Sequence, residues 1–249
     1  MNKFIKIGKI SLLALALFSL NSCKDYFELT DNPNLVQTPP LNALLTTATH
    51  KAAFNNYRIA YFNNQYSQYF ASPSGGSDTD TYQITNNSST WNNLSYSLAD
   101  LYDFMVKSEE AGATHHLAVA QALTAYQLAL VADTWGSVPF SKAFGKEETL
   151  TVPFDSEEDL YKAQVDLINK ALENFKKTDA TQELSEKDDL LCGGDLDKWI
   201  KLTNGLKARV LNKISKKAAY NPKQVLAAAQ ASLESKAVDV GMSPFDGVN

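Results

Sequence analysis

The stretch His115–Ala132, HHLAVAQALTAYQLALVA, decides the fold. It is apolar on nearly every side, rich in alanine, and too long for an ordinary strand. A helix with no polar face has to be buried, so this segment predicts a central helix wrapped by neighbours that its small side chains let come close. Helical spacing continues to either side. Leu41, Leu44, Leu45, Ala48 and Ala52 recur at steps of three and four. The aromatics that follow, Phe54, Tyr57, Tyr61, Phe62, Tyr66, Tyr69 and Phe70, also suit one wide helix face. They have two uses, core packing or a stacking platform for sugars. Leu94, Leu98, Leu101, Tyr102, Met105 and Val106 form another stripe.

Downstream, residues 156–177 carry Leu160, Ala163, Leu167, Ile168, Ala171, Leu172 and Phe175, with Asp155 or Ser156 as cap and Glu157, Glu158 and Asp159 in the first turn. Residues 195–217 carry Trp199, Leu202, Leu206, Val210 and Ile214, with lysines opposite. A shorter helix follows Pro222, with Val225, Leu226, Ala229 and Leu233 expected inward. No run of alternating residues predicts a strand. The fold class expected is all-α, built from antiparallel helix pairs of about 34 to 45 residues that resemble tetratricopeptide packing.

Composition sets outer limits. The chain has 249 residues, 44% hydrophobic and 20% charged, enough to bury a core. Lys plus Arg is 23 and Asp plus Glu is 28, a net charge of −5. Three of those lysines (Lys3, Lys6, Lys9) lie in an acid-free N-terminus, so the remainder carries 20 basic against 28 acidic groups, or −8. That balance excludes a nucleic-acid partner. Arg58 and Arg209 are the two arginines, which argues against a bidentate phosphate clamp. Two cysteines rule out a disulfide framework.

Residues 1–22 are expected to be a signal peptide: a basic start, the apolar run Ile10–Leu20, then Asn21 and Ser22 before Cys23. The run is too short to span a bilayer. Leu20-Asn21-Ser22-Cys23 resembles a bacterial lipobox, in which the cysteine is lipidated and anchors the mature chain. The alternative is an ordinary leader with an incidental cysteine. Residues 23–40 then form a tether, and 41–249 the helical domain. Cys192 is left without a partner and is expected to be structural.

Residues 71–93 change character. Of these 23 residues, 15 are Ser, Thr, Asn or Gly, and none is Lys or Arg. A loop of this length within a compact domain is often functional. Asp80, Tyr82, Asn86, Asn87 and Trp91 offer acceptors, amides and ring faces, the groups that bind neutral hydroxylated ligands. A plain surface loop is the competing use. Calcium at Asp78 and Asp80 lacks a full ligand pattern. Calcium among Asp188, Asp189, Asp195 and Asp197, around Gly193-Gly194, competes with a solvated loop in which Asp195 caps a helix. His115 and His116 point about 100° apart on a helix and do not share a metal; an exposed helix start is expected. No G-x-S-x-G, G-x-x-x-x-G-K-[ST] or H-E-x-x-H pattern occurs, so neither an enzyme nor a cofactor is expected.

Asp133–Ser141, DTWGSVPFS, stops the central helix: Gly136 is placed for a left-handed residue, Pro139 forbids continuation, and Trp135, Val138 and Phe140 pack the corner. The stretch resembles the D-x-[WY]-G-D-[VI]-P-[FY] signature of the SusD/RagB family, with Ser137 where aspartate is usual. Lys24–Glu28 after the lipobox, the Asp31-Asn32-Pro33-Asn34 turn and the helix Trp91–Tyr102 resemble the family in the same order.

The resemblance implies a lipid-anchored protein on the outer face of the outer membrane. It would capture an oligosaccharide, or a peptide, and deliver it to a SusC-like TonB-dependent transporter. Family members are roughly twice as long, so the chain looks like an N-terminal half, and the ligand surface would be shared with a second half. A scaffold or lid without its own ligand is the alternative, and a surface glycosidase a third. If the lipobox is used, Cys23→Ala abolishes incorporation of labelled palmitate and releases the protein from the membrane fraction; unchanged labelling would exclude it.

Overall fold

The computed structural model describes residues 38–73, 75–145 and 151–232. The leader, Cys23, the tether up to Gln37, the Asn32-Pro33 turn, Leu233 and the tail lie outside the described residues. The helices belong to one compact unit that begins at Pro40. They are α1 (Leu41–Tyr66), α2 (Ser88–Glu110), α3 (Thr114–Trp135), α4 (Glu157–Asn174), α5 (Leu196–Asn212) and α6 (Pro222–Gln230). Among the described residues β-structure is limited to one isolated antiparallel bridge, Val138 with Asp155. The fold is all-α, as the periodicity predicts.

α3 is the hub and packs against α1, α2, α4 and α5, while α6 rests on α5. Only Ala111, Gly112 and Ala113 link α2 to α3, so α3 has to run back along α2. Ala118, Val119, Ala120, Ala125 and Leu128 on different sides of α3 are all fully buried. They meet Leu45, Ala48 and Ala52 of α1, Leu98, Leu101 and Phe104 of α2, Ile168 and Ala171 of α4, and Trp199 and Val210 of α5 across three contiguous clusters. Two buried amide pairs cross the same interfaces: Asn55 Nδ2 donates to Gln127 Oε1 at 3.2 Å, and Asn174 Nδ2 to Gln121 Oε1 at 2.9 Å.

Capping fixes the later helices. Ser156 Oγ accepts from Asp159 N above three first-turn acids, Asp195 accepts from Lys198 N, and Asn221 accepts from Lys223 N and Gln224 N beside Pro222. Several expectations fail at the edges. α4 and α5 stop at Asn174 and Asn212, short of Lys177 and Lys217, and Ile214 sits in the turns beyond. On α6 the buried residue is Ala228, while Leu226 and Ala229 face solvent. A nine-residue helix seats closely on α5 only through a small side chain, and Ser232 then fits against Gly205.

The histidines are not an exposed helix start. His115 Nε2 bonds the Lys177 carbonyl at 2.8 Å, and fully buried His116 bonds Asn42 Oδ1 at 3.2 Å with its ring edge-on to Phe104. Asn42 also accepts from Gln182, so the pair ties α1, α3 and the segment after α4 together. Burial, and secondarily the charge of His115, lower the His116 pKa to about 4, against a smaller opposing pull from the Gln182 backbone.

Asp189 is not in a solvated loop either. It is 3% exposed and accepts from Leu191 N, Cys192 N, Gly194 N and, at 2.6 Å, Trp199 Nε1. Gly194 takes φ 76°, and a Cβ there would meet the Leu184 carbonyl at 2.8 Å, so the turn needs glycine. Four N–H donors occupy this carboxylate, which leaves it no part as a calcium ligand beside Asp188 and Asp195. Beside it, burial first and the Asp189 charge second push the Cys192 thiol pKa up, so this cysteine is structural as expected.

Asp189→Ala orphans those donors and is expected to lower unfolding free energy by about 3–5 kcal/mol in urea titrations, with Asp189→Asn intermediate. The His116 pKa lies below its unfolded value, so the unfolded chain binds the proton first as pH falls. Stability is therefore expected to drop by about 2 kcal/mol from pH 7 to pH 5 through this group, and His116→Gln should remove that slope.

Candidate functional site

The loop between α1 and α2 is shorter and more tightly tied than its composition suggests. α2 begins at Ser88, so the connection runs 67–87. Inside it, Gln83 N donates to the Asp78 carbonyl at 2.7 Å and Thr81 N to Ser77 O at 3.1 Å. Thr79 Oγ1 bonds the buried amide of Gln65 at the end of α1. Tyr66 Oη reaches the Gln83 carbonyl at 3.2 Å and Thr85 Oγ1 at 3.1 Å. These hydrogen bonds, among themselves and to the end of α1, thus hold residues 77–85 in one shape.

The expected ligand residues divide by position. Asp80 is turned inward on the loop, where its carboxylate accepts from Ser72 N at 3.0 and 3.3 Å. Asn86 Oδ1 accepts from Ser88 N at 2.9 Å and steadies the start of α2, and Asn87 Nδ2 donates to Thr85 Oγ1 at 3.2 Å. Tyr82 faces solvent at 61% exposure, its ring 6.4 Å from that of Tyr66. It also sits at φ 55°, a backbone conformation costly for a residue with a Cβ and often found at functional sites. Trp91 is separate from these four. It lies on α2 and packs edge-on against Trp135, ring centroids 5.3 Å apart. The structure therefore gathers Asp80, Tyr82, Asn86 and Asn87 on one loop and its exit, and assigns Trp91 to the corner after α3.

That corner keeps its sequence logic with one change. α3 ends at Trp135, and the Gly136 N–H closes on the Ala132 carbonyl at 2.9 Å. Gly136 adopts φ 77°, ψ −120°, outside the left-handed helical region expected and accessible in practice to glycine alone. Val138 is buried, and its carbonyl accepts from Asp155 N at 2.9 Å. The Asp155 carboxylate accepts from Phe140 N at 2.7 Å and Ser141 N at 2.8 Å, besides bonding Ser141 Oγ. Asp133 pairs across to Arg209 of α5 and to Lys213 just beyond its end. The segment is an architectural corner.

The aromatic run of α1 divides: Phe62 packs against the core, while most of the other rings stay exposed. The buried side of α1 is Leu45, Ala48, Ala52 and Ile59, whereas Phe54, Tyr57, Tyr61, Tyr69 and Phe70 are exposed. Tyr69 and Phe70 lie beyond the helix end. Sequence spacing missed this because a three-and-four step is equally regular on either side of a helix.

Comparison with known proteins adds a family to this geometry. A family model, SusD-like, described as starch-binding associating with outer membrane, matches residues 33–245. No curated protein matches the chain. A SusD/RagB family protein from Bacteroides thetaiotaomicron VPI-5482 superposes with a TM-score of 0.76 at 22% identity, over 85% of this chain and 47% of that one. A SusD homolog from Parabacteroides distasonis ATCC 8503 gives 0.70 at 20%, over 85% and 43%. A SusD-like protein from Bacteroides thetaiotaomicron VPI-5482 gives 0.64 at 23%, over 81% and 44%. The chain thus spans about half the length of the solved structures it matches, and the likeness to them is one of fold.

Proposed function

Because the chain belongs to the SusD-like family of starch-binding proteins associating with the outer membrane, we propose that it is a nutrient-binding lipoprotein of the cell surface. Its ligand is a neutral glycan, and it hands that ligand to a SusC-like TonB-dependent transporter. The observation that carries this reading is the family match along residues 33–245. Cys23 supplies the anchor through its acyl chains. Among the described residues no helix is long and apolar enough to cross a membrane.

The ligand-facing groups are those of the 67–87 loop. Tyr82 offers a ring face for the apolar side of a sugar. Asn86 and Asn87 offer amide groups at the loop exit. Asp80 holds the loop shape from within, and Trp91 acts behind the loop by fixing the corner. Binding of this kind needs no covalent chemistry, since hydroxyls exchange water for amide partners and ring faces exclude water from one side of the ligand.

The test is calorimetric titration of the protein with maltoheptaose and with a panel of other neutral oligosaccharides. Tyr82→Ala is expected to cost about 1 kcal/mol, several-fold in Kd, with Asn86→Ala additive to it. Affinity unchanged in both variants removes the loop from the binding surface. A protein that co-purifies with a transporter barrel yet takes no oligosaccharide would instead be the scaffold or lid.

A further inference from the structure

We propose that Gln65 and Tyr66, the last two residues of α1, are positioning residues for Tyr82. They hold its ring in a conformation the backbone disfavours, and ligand affinity depends on them through that ring alone. The proposal rests on the glycan reading of the loop given above and adds what keeps that site in shape.

Residues 77–83 form a single helical turn with a closed end. Thr81 N donates to the Ser77 carbonyl at 3.1 Å, Tyr82 N to Thr79 O at 3.3 Å and Gln83 N to Asp78 O at 2.7 Å. The last two bonds are nested, one reaching back three residues and the other five, which is the pairing that closes helix ends around a left-handed residue. Tyr82 is that residue, at φ 55°. The same nested pair closes α2, where Gly112 N bonds Glu109 O at 3.0 Å and Ala113 N bonds Ser108 O at 2.9 Å. There the left-handed residue is a glycine, at φ 65°. A Cβ in this region crowds the backbone, so tyrosine makes a weaker turn than glycine would, yet it presents a ring that is 61% exposed. One isolated helical turn does not hold itself together and needs support from outside.

α1 supplies that support on both sides of Tyr82. Before it, Thr79 Oγ1 bonds Oε1 of the buried Gln65. After it, Tyr66 Oη donates to the Gln83 carbonyl at 3.2 Å and lies 3.1 Å from Thr85 Oγ1. A phenol has one proton; Tyr66 gives it to the carbonyl, so Thr85 donates to Tyr66. Thr85 Oγ1 in turn accepts from Asn87 Nδ2 at 3.2 Å. The donors therefore point one way, from Asn87 through Thr85 and Tyr66 to Gln83, and join the loop exit to the turn. The Tyr66 ring, 6.4 Å from that of Tyr82 and tilted by 37°, limits where the latter swings. A ring held ready in this way is not ordered at the expense of binding, so loosening its support is felt as lost affinity.

The experiment takes two readings on the full chain: exchange of the Gln83 amide by NMR without ligand, and calorimetric titration with maltoheptaose. Tyr66→Phe keeps the ring and removes the hydroxyl. It is expected to speed Gln83 exchange about tenfold and to raise Kd about fivefold. In a Tyr82→Ala background the same change should alter Kd less than about 1.5-fold, because nothing is left to position. Thr79→Val, which removes the bond to Gln65, should behave in the same way. Tyr82→Gly, which relieves the left-handed residue, should slow Gln83 exchange while weakening binding as Tyr82→Ala does. Gln83 exchange unchanged in Tyr66→Phe and Thr79→Val, faster exchange in Tyr82→Gly, or a Kd effect that persists in full without Tyr82 each overturns the proposal. An unaltered chain that binds no maltoheptaose removes this glucan from the glycan reading, and the exchange rates then decide by themselves whether α1 holds the turn.

Discussion

A helix with no solvent side has nowhere to put a polar group except against another polar group. α3 carries Gln121 and Gln127 under that constraint, and each is met by an asparagine from a different neighbour, Asn174 of α4 and Asn55 of α1. The apolar part of the interface tolerates sliding, since alanine against alanine has little shape to oppose it. The amides do not, because a shift of one turn leaves both partners buried and unpaired, at a cost of about 1–3 kcal/mol for each group. The small residues of α3 set how near its neighbours come, and the two amide pairs set where along it they stop. The placement of the loop follows, because it departs from the end of α1 and returns at the start of α2.

The parts of this architecture that were legible in the sequence are those a one-dimensional pattern can carry. Ser156 and Asp195 sit where caps must be, Pro222 opens the last helix, and the apolar run of α3 has no interpretation except burial. What was not legible depends on which elements approach from outside. The stripes of α1 through Ala52 and through Tyr57 have similar regularity, and only the position of α3 decides which one is wet. His116 reads as a helix start until Asn42, seventy-four residues earlier in the chain, is brought to its ring. Asp189 reads as one acid among several until the Trp199 indole comes round to it. In the loop, residue types were read correctly as polar and aromatic, but composition did not show that Asp80 would spend its carboxylate on Ser72.

The same division separates scaffold from recognition. The corner after α3, which carries the strongest family signature, is occupied with its own backbone: Asp155 satisfies the turn that Gly136 opens. Its residues are constrained because they make a sharp reversal. The exposed side chains lie elsewhere, among them Tyr82 on the loop, where a substitution leaves the hub untouched.

The burial of Cys192 has a consequence for its redox chemistry. A thiol attacks disulfides and is consumed by peroxide only as its thiolate, and here both the apolar surroundings and the carboxylate of Asp189 disfavour that form. The residue as a whole is also only 3% exposed, so a second chain has little approach to its sulfur. A free cysteine would ordinarily be at risk of forming covalent dimers or mixed disulfides with small thiols. This one is protected by its own packing, and its redox inertness lasts as long as the turn around Asp189 stays closed.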